Sequence, residues 1–218
     1  MSSVGIAVGI GTVLAVSACG GGARQDATEP SGKFPVAVRA AGFPSSQTLA
    51  QHTHLLIAVR NIGRKTIPNV AVTICNVTCT YPAPKGAGTS AAAFSASLDQ
   101  TGLANSSRPI WVVDHGPGAC HYSCQNGGVG AGVSAASNTW ALGALPPGRT
   151  VIFRWGVTAV SVGHHVVAWE VAAGLNGKAH AVLANGSVPR GFFAVGISGK
   201  PAQSYVNNNG QIVQSSGQ

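Results

Sequence analysis

Beyond residue 19 the apolar positions of this chain recur with a period of two, the spacing of a strand with one buried face. Leu55, Ile57 and Val59 fall on one side while His54 and Arg60 fall on the other. The alternation returns at Val70, Val72 and Ile74, at Val151, Phe153, Trp155 and Val157, at Val167, Trp169 and Val171, and at Phe193, Val195 and Ile197 after Gly191. Between these runs lie turn signals: Asn61-Ile-Gly63, Pro146-Pro-Gly148, Ser161-Val-Gly163, Asn176-Gly177 and Asn185-Gly186. The Asn-Gly pairs suit type I′ turns, whose twist matches that of a right-handed hairpin. Short half-buried strands at this spacing predict an all-β fold of two packed antiparallel sheets, with Phe153, Trp155, Trp169 and Phe193 in its core.

The N-terminus follows a different rule. Val4 to Val16 is an uncharged apolar run, long enough for the core of a signal peptide and short for a membrane-spanning helix. It ends in Val16-Ser-Ala-Cys19-Gly20, which resembles the lipobox of bacterial lipoproteins. That resemblance implies removal of residues 1–18 and a diacylglyceryl group on the Cys19 sulfur, each buried methylene adding about 0.8 kcal/mol of membrane affinity. Met1-Ser-Ser3 departs from the pattern, because the usual Lys or Arg is missing. The Gly-, Ser-, Thr- and Pro-containing stretch 19–33 is too polar to pack and is expected to be a flexible tether, with Asp26 and Glu29 in it.

Within the mature part, Val59-Arg-Asn-Ile-Gly-Arg-Lys-Thr-Ile-Pro-Asn-Val-Ala-Val72 resembles the strand-turn-strand of CARDB-like domains, a bacterial immunoglobulin-like module. Leu145-Pro-Pro-Gly-Arg-Thr-Val-Ile-Phe-Arg-Trp155 and Gly163-His-His-Val-Val-Ala-Trp169 resemble the strands that follow, and the whole is similar to lipoproteins of the actinobacterial type. The resemblance implies an immunoglobulin-like antiparallel β-sandwich over 34–200, a C-terminal tail over 201–218, and an adhesion, interaction or scaffold role without catalytic residues.

The middle departs from that pattern. About 76–139 reads as an insertion rich in Gly, Ala, Ser and Asn, where a sandwich connection is normally under about a dozen residues, although Pro109-Ile-Trp-Val-Val113 suits a short strand. Two C-x3-C pairs flank it or lie in it, Cys75/Cys79 and Cys120/Cys124. Outside the cytoplasm an even set of thiols is normally oxidised, so two disulfides are expected. An antiparallel approach would join 75 to 124 and 79 to 120, and a parallel one 75 to 120 and 79 to 124. Each such bridge closes roughly 45 residues and is worth about 3–4 kcal/mol. The alternative is a Zn²⁺ or Cu⁺ site built from Cys75, Cys79, Cys120 and Cys124 with His115 and His121, against which the C-x3-C spacing and an oxidising compartment both weigh. Trp111 and Tyr122, beside these cysteines, are candidate anchors for a partner.

Charge narrows the function classes. Of 218 residues, 13 are Lys or Arg and 5 are Asp or Glu, a net charge of +8, while charged residues make up only 8% of the chain. A dispersed positive charge favours the membrane surface, an envelope protein or an anionic wall polymer as partner. It argues against nucleic acid, because the one local cluster, Arg60, Arg64 and Lys65, lacks interleaved aromatic side chains. No nucleophile elbow or phosphate loop is present, so no enzyme and no cofactor is expected. Glu170 is expected to pair with Arg154 across neighbouring strands. His52 and His54 share a strand side but have no carboxylate near them in sequence. His52, His54, His115, His164 and His180 have the chemistry to converge on a site, and exposed or structurally satisfied imidazoles are the plainer expectation.

Overall fold

The computed structural model describes residues 28–75, 88–89, 93–95, 109–118, 132–134, 138–201 and 203–215. Two sheets pack face to face as a β-sandwich. The first runs in the order β12 (Ala179–Val182), β1 (Gly32–Gly42), β3 (His52–Asn61), β10 (Thr150–Ala159), β7 (Trp111–His115) and β6 (Phe94–Ser95). The second runs β2 (Ser46–Leu49), β13 (Arg190–Pro201), β11 (Gly163–Ala172), β4 (Ala71–Cys75), β9 (Thr139–Ala141) and β8 (Gly132–Ser134), with β5 (Gly88–Thr89) also beside β11. The long central ladders are antiparallel, whereas β12, β2, β5 and β6 join their neighbours in parallel.

The alternation anticipated above is the packing pattern. Leu55, Ile57 and Val59 of β3 and Phe153, Trp155 and Val157 of β10 are wholly buried, and they meet Val72, Ile74, Val167, Val171 and Val195 from the other sheet. Trp140 of β9 and Trp155 of β10 cross the interface edge to face, with ring centroids 5.5 Å apart at 88°. Each fully buried tryptophan removes roughly 200 Å² of largely apolar surface from water, worth about 4–6 kcal/mol before the entropy of ordering is set against it.

The turn motifs close this frame through one side chain. Asn61 at the end of β3 is 0% exposed. Its Nδ2 donates to the carbonyls of Lys65 and Leu145, both at 2.8 Å, and its Oδ1 accepts from Gly63 N at 2.9 Å. Asn61 thus ties the Asn-x-Gly turn to the Leu145-Pro-Pro-Gly148 turn 84 residues later, joining the segments that precede β4 and β10.

Three expectations change. The stretch read as an insertion supplies part of the sandwich: β7, as the Pro109–Val113 pattern suggested, docks antiparallel on β10, and β9 docks on β4. The end of the expected tether belongs to the folded unit. Glu29 reaches the loop after β11, where Oε1 accepts from Lys178 N (3.0 Å) and Ala179 N (2.8 Å) and Oε2 from Leu175 N (2.7 Å) and Asn176 N (2.8 Å). Burial raises the Glu29 pKa, and these four backbone donors outweigh it, so the carboxyl sits below its ordinary 4.5. Finally, the stretch read as a tail pairs as a hairpin of β14 (Gln203–Val206) and β15 (Ile212–Ser215).

Candidate functional site: an imidazole–carboxylate cluster on one outer face

The polar chemistry gathers on the outer face of the first sheet, over strands β3, β10 and β7. In β3 the residues between the core positions point outward, which places His52 and His54 on that face two residues apart. Across the ladder, Thr158 of β10 lies opposite His52, and Gly156 lies opposite His54. On the far side of β10 the register slips: Thr158 faces Val112 and Val157 faces Val113, but Gly156 faces His115. Asp114 is therefore the extra residue of a β-bulge. The bulge breaks the in-out alternation, so that Asp114 reaches Thr158 and His52 while His115, the next residue, lies beside Gly156 on the same face.

The resulting contacts are short. His52 Nδ1 lies 2.8 Å from Asp114 Oδ2, and the Thr158 hydroxyl donates to the same oxygen at 2.7 Å. The His52 side chain is 37% exposed and that of Asp114 26%. The His52 ring stands 5.3 Å from His54 and 6.5 Å from His115, centroid to centroid. Gly156 makes this crowding possible: a Cβ there would come within 3.2 Å of His52 Cε1 and 3.4 Å of His115 Cδ2. Burial lowers the His54 pKa, and the charges of His52, Arg154 and His115 lower it further, so its neutral form is favoured.

Chemically the cluster presents three imidazoles over a backbone floor. His52 Nδ1 faces the Asp114 carboxylate, which leaves His52 Nε2 on the side of Gly156. The Thr158 hydroxyl is committed to Asp114, so among the described residues it is no nucleophile for a His–Asp pair.

The other residues singled out from sequence fall elsewhere. Trp111 is no partner anchor: it is 0% exposed in β7, its Nε1 donating to Gln47 Oε1 at 2.8 Å, because the strand that carries it turns its apolar side into the core. Cys75 ends β4 and is 8% exposed. Cys19, Cys79, Cys120, His121, Tyr122 and Cys124 lie outside the described residues. Glu170 and Arg154 belong to different sheets, so the expected pair does not form, and the register sets Glu170 opposite Arg190 instead. His164 is on the second sheet and His180 on the far edge strand β12, so neither joins the cluster. His165 lies 3.1 Å from the Ser161 carbonyl.

One further concavity lies between the sheets on the side away from the cluster. It has a volume of about 510 Å³ and is lined by Val36, Val38, Ile62, Trp169, Pro189 and Arg190, among others. Its walls carry no carboxylate or imidazole, so it offers shape and one cation without acid–base chemistry.

Fold and site together define a β-sandwich bearing a polar cluster on one outer face. No family model matches this chain, and no curated protein does. Among solved structures it is similar to E. coli alpha-2-macroglobulin in its native conformation at 13% identity and a TM-score of 0.39, covering 78% of this chain. The chain spans only 7% of the length of that protein. It is similar to a chain of the chaperone–tip adhesin complex of CFA/I fimbriae at 12% identity and a TM-score of 0.27, over 82% of this chain and 66% of that one. A third similarity is to AvmM, which catalyses macrocyclization in alchivemycin A biosynthesis, at 10% identity and a TM-score of 0.33, over 79% and 92% of the two chains.

Proposed function

We propose that this protein is a cell-envelope lipoprotein, anchored through Cys19 to the extracytoplasmic face of the membrane, whose sandwich is a non-enzymatic interaction module for an anionic partner. The observation that carries this reading is the charge of the surface. Among the described residues, cations such as Lys33, Arg39, Arg64, Lys65, Arg149 and Arg154 are exposed. The three described carboxylates are not: Glu29 is buried in its ring of backbone donors, Asp114 is held by His52 and Thr158, and Glu170 is half-buried opposite Arg190. Such a surface attracts phosphate-bearing headgroups, an acidic envelope protein or an anionic wall polymer.

The lipobox-like Val16–Gly20 supplies the anchor, and its distance to the sandwich supports the reading. Cys19 lies nine residues before Thr28, the first described residue, a separation that even fully extended chain spans in only about 30 Å. A domain held this near a bilayer gains the anionic surface as a constant neighbour. The CARDB-like resemblance of 59–72 and 145–155 implies an interaction role, and Asn61 joins the two segments. For the cysteines we retain disulfides over metal. An oxidising compartment and the C-x3-C spacing both favour a structural clasp over a thiolate ligand set of Cys75, Cys79, Cys120, Cys124, His115 and His121.

Membrane fractionation of the wild type and Cys19→Ala in low salt and in about 1 M salt tests the proposal. At about 1 M the screening length falls to about 3 Å, which removes electrostatic attachment. The wild type is expected to stay with the membrane in both, and Cys19→Ala to leave it in high salt. Retention of Cys19→Ala at the wild-type level in high salt overturns the anchor.

A further inference from the structure

From the residues over Gly156 we propose a divalent transition-metal site, with the imidazoles of His52, His54 and His115 as ligands for Zn²⁺ or Cu²⁺ and Asp114 as the group that orients His52. This lies beyond the interaction role above and uses none of the cysteines.

Four observations carry it. First, neutral imidazole is the ligand type that suits Zn²⁺ and Cu²⁺, and three rings share one sheet face around a residue with no side chain. Second, His52 already has the outer support of a metal ligand. Its Nδ1 is 2.8 Å from a carboxylate that also accepts a threonine hydroxyl, leaving Nε2 directed over Gly156. Third, the bulge at Asp114 brings two chemical groups to one face. In a regular strand Asp114 and His115 would face opposite sides of the sheet, and here both serve the outer face. Fourth, the spacing is close to what an ion requires. Two imidazoles bound at about 2.0–2.1 Å around a tetrahedral ion place their ring centroids about 5.2 Å apart. His52 and His54 are 5.3 Å apart, and His52 and His115 are 6.5 Å apart.

The trio is therefore open by about 1.3 Å on the His115 side, and in its present rotamers no group of three or more His, Cys, Asp or Glu side chains among the described residues is set to hold an ion. A chelate therefore requires the His115 ring to come nearer His52 than the 6.5 Å seen here. The coordination left over falls to water.

The test is calorimetric titration of the full chain, stripped with chelator, with ZnCl₂ and separately with CuCl₂ near neutral pH. Wild type, His54→Ala, His115→Ala and Asp114→Asn are compared, each checked by circular dichroism for an intact β spectrum. The expected result is one equivalent of metal per chain. Affinity should fall at least about tenfold in each histidine variant and about 10–100-fold in Asp114→Asn, the range for loss of an orienting carboxylate. Electron paramagnetic resonance of the Cu²⁺ form should show nitrogen couplings, which a purely structural role of Asp114 would not change between wild type and variants. Absence of stoichiometric binding overturns the proposal. So does binding that is undiminished in His54→Ala and His115→Ala, or a Cu²⁺ spectrum dominated by sulfur ligation.

Discussion

Replacing Glu29 by Gln changes one oxygen to an amide and leaves the shape of the side chain intact, so it isolates what the carboxylate does. In the wild type each oxygen accepts two backbone N–H groups, from Leu175 and Asn176 on one side and Lys178 and Ala179 on the other, at 2.7–3.0 Å. Glutamine keeps one oxygen and turns an N–H₂ toward two of these donors, which then oppose it. An unsatisfied buried N–H costs about 1–3 kcal/mol. Water reaches Leu175, which is 43% exposed, so the lower half of the range applies to part of the loss. The sum is about 2–4 kcal/mol, or a fall in melting temperature of about 5–15 °C for a domain this size. The folded-state pKa lies below the ordinary 4.5, so the contribution of the carboxylate is fully present above 4.5 and is lost as pH falls through the lowered value. Denaturant unfolding of wild type and Glu29→Gln, followed by circular dichroism from about pH 7 to about pH 2.5, reads both effects. The difference in stability should be about 2–4 kcal/mol near neutrality and should shrink toward the acid end, where the protonated glutamate resembles glutamine. A difference below about 1 kcal/mol at neutral pH, or one that does not vary with pH, would refute the reasoning and return residues 28–31 to the tether.

Three more perturbations follow from the packing. Asn61→Ala removes three hydrogen bonds at a site that is 0% exposed and should lower stability by about 2–4 kcal/mol in the same unfolding assay; a loss under about 1 kcal/mol would mean the two turns close without it. Gly191→Ala would set a Cβ 2.6 Å from Trp169 Cζ2, so the indole must shift, at about 1–3 kcal/mol, with a change in near-ultraviolet circular dichroism; an unchanged spectrum and midpoint would contradict the contact. Gln47→Leu strands Trp111 Nε1 inside the core and should cost about 1–3 kcal/mol; a neutral result would show that the 2.8 Å bond to Gln47 contributes nothing.

The sandwich was legible in the sequence because its signal is local. Leu55, Ile57 and Val59, and Phe153, Trp155 and Val157, recur at a period of two, with His54, Arg60 and Arg154 on the opposite side, and all six are wholly buried. What escaped depends on partners far apart in the chain. Glu29 sits among Thr, Pro, Ser and Gly and reads as linker, yet its donors lie 146–150 residues away. Trp111 read as a surface anchor because it lies in the stretch that carries the cysteines; only the docking of β7 on β10 turns it inward. The histidine cluster was half visible. His52-x-His54 on a strand places two imidazoles on one face, but the missing carboxylate comes from β7, which reaches that face only in the order β3–β10–β7. Adjacent residues on a regular strand point apart, so Asp114-His115 gave no hint of a shared face until the register slip was seen. The slip leaves no trace in hydrophobic periodicity, and Gly156 is the single nearby residue whose identity hints at crowding.

The central claim is that a basic sandwich is tethered to the extracytoplasmic membrane surface through Cys19. Its most direct test is the mass of the N-terminal peptide from protein extracted from the membrane with detergent. The account predicts a peptide that begins at Cys19 and carries a diacylglyceryl thioether, with residues 1–18 absent. A peptide that retains residues 1–18, or an unmodified Cys19 in the membrane-bound protein, would contradict it.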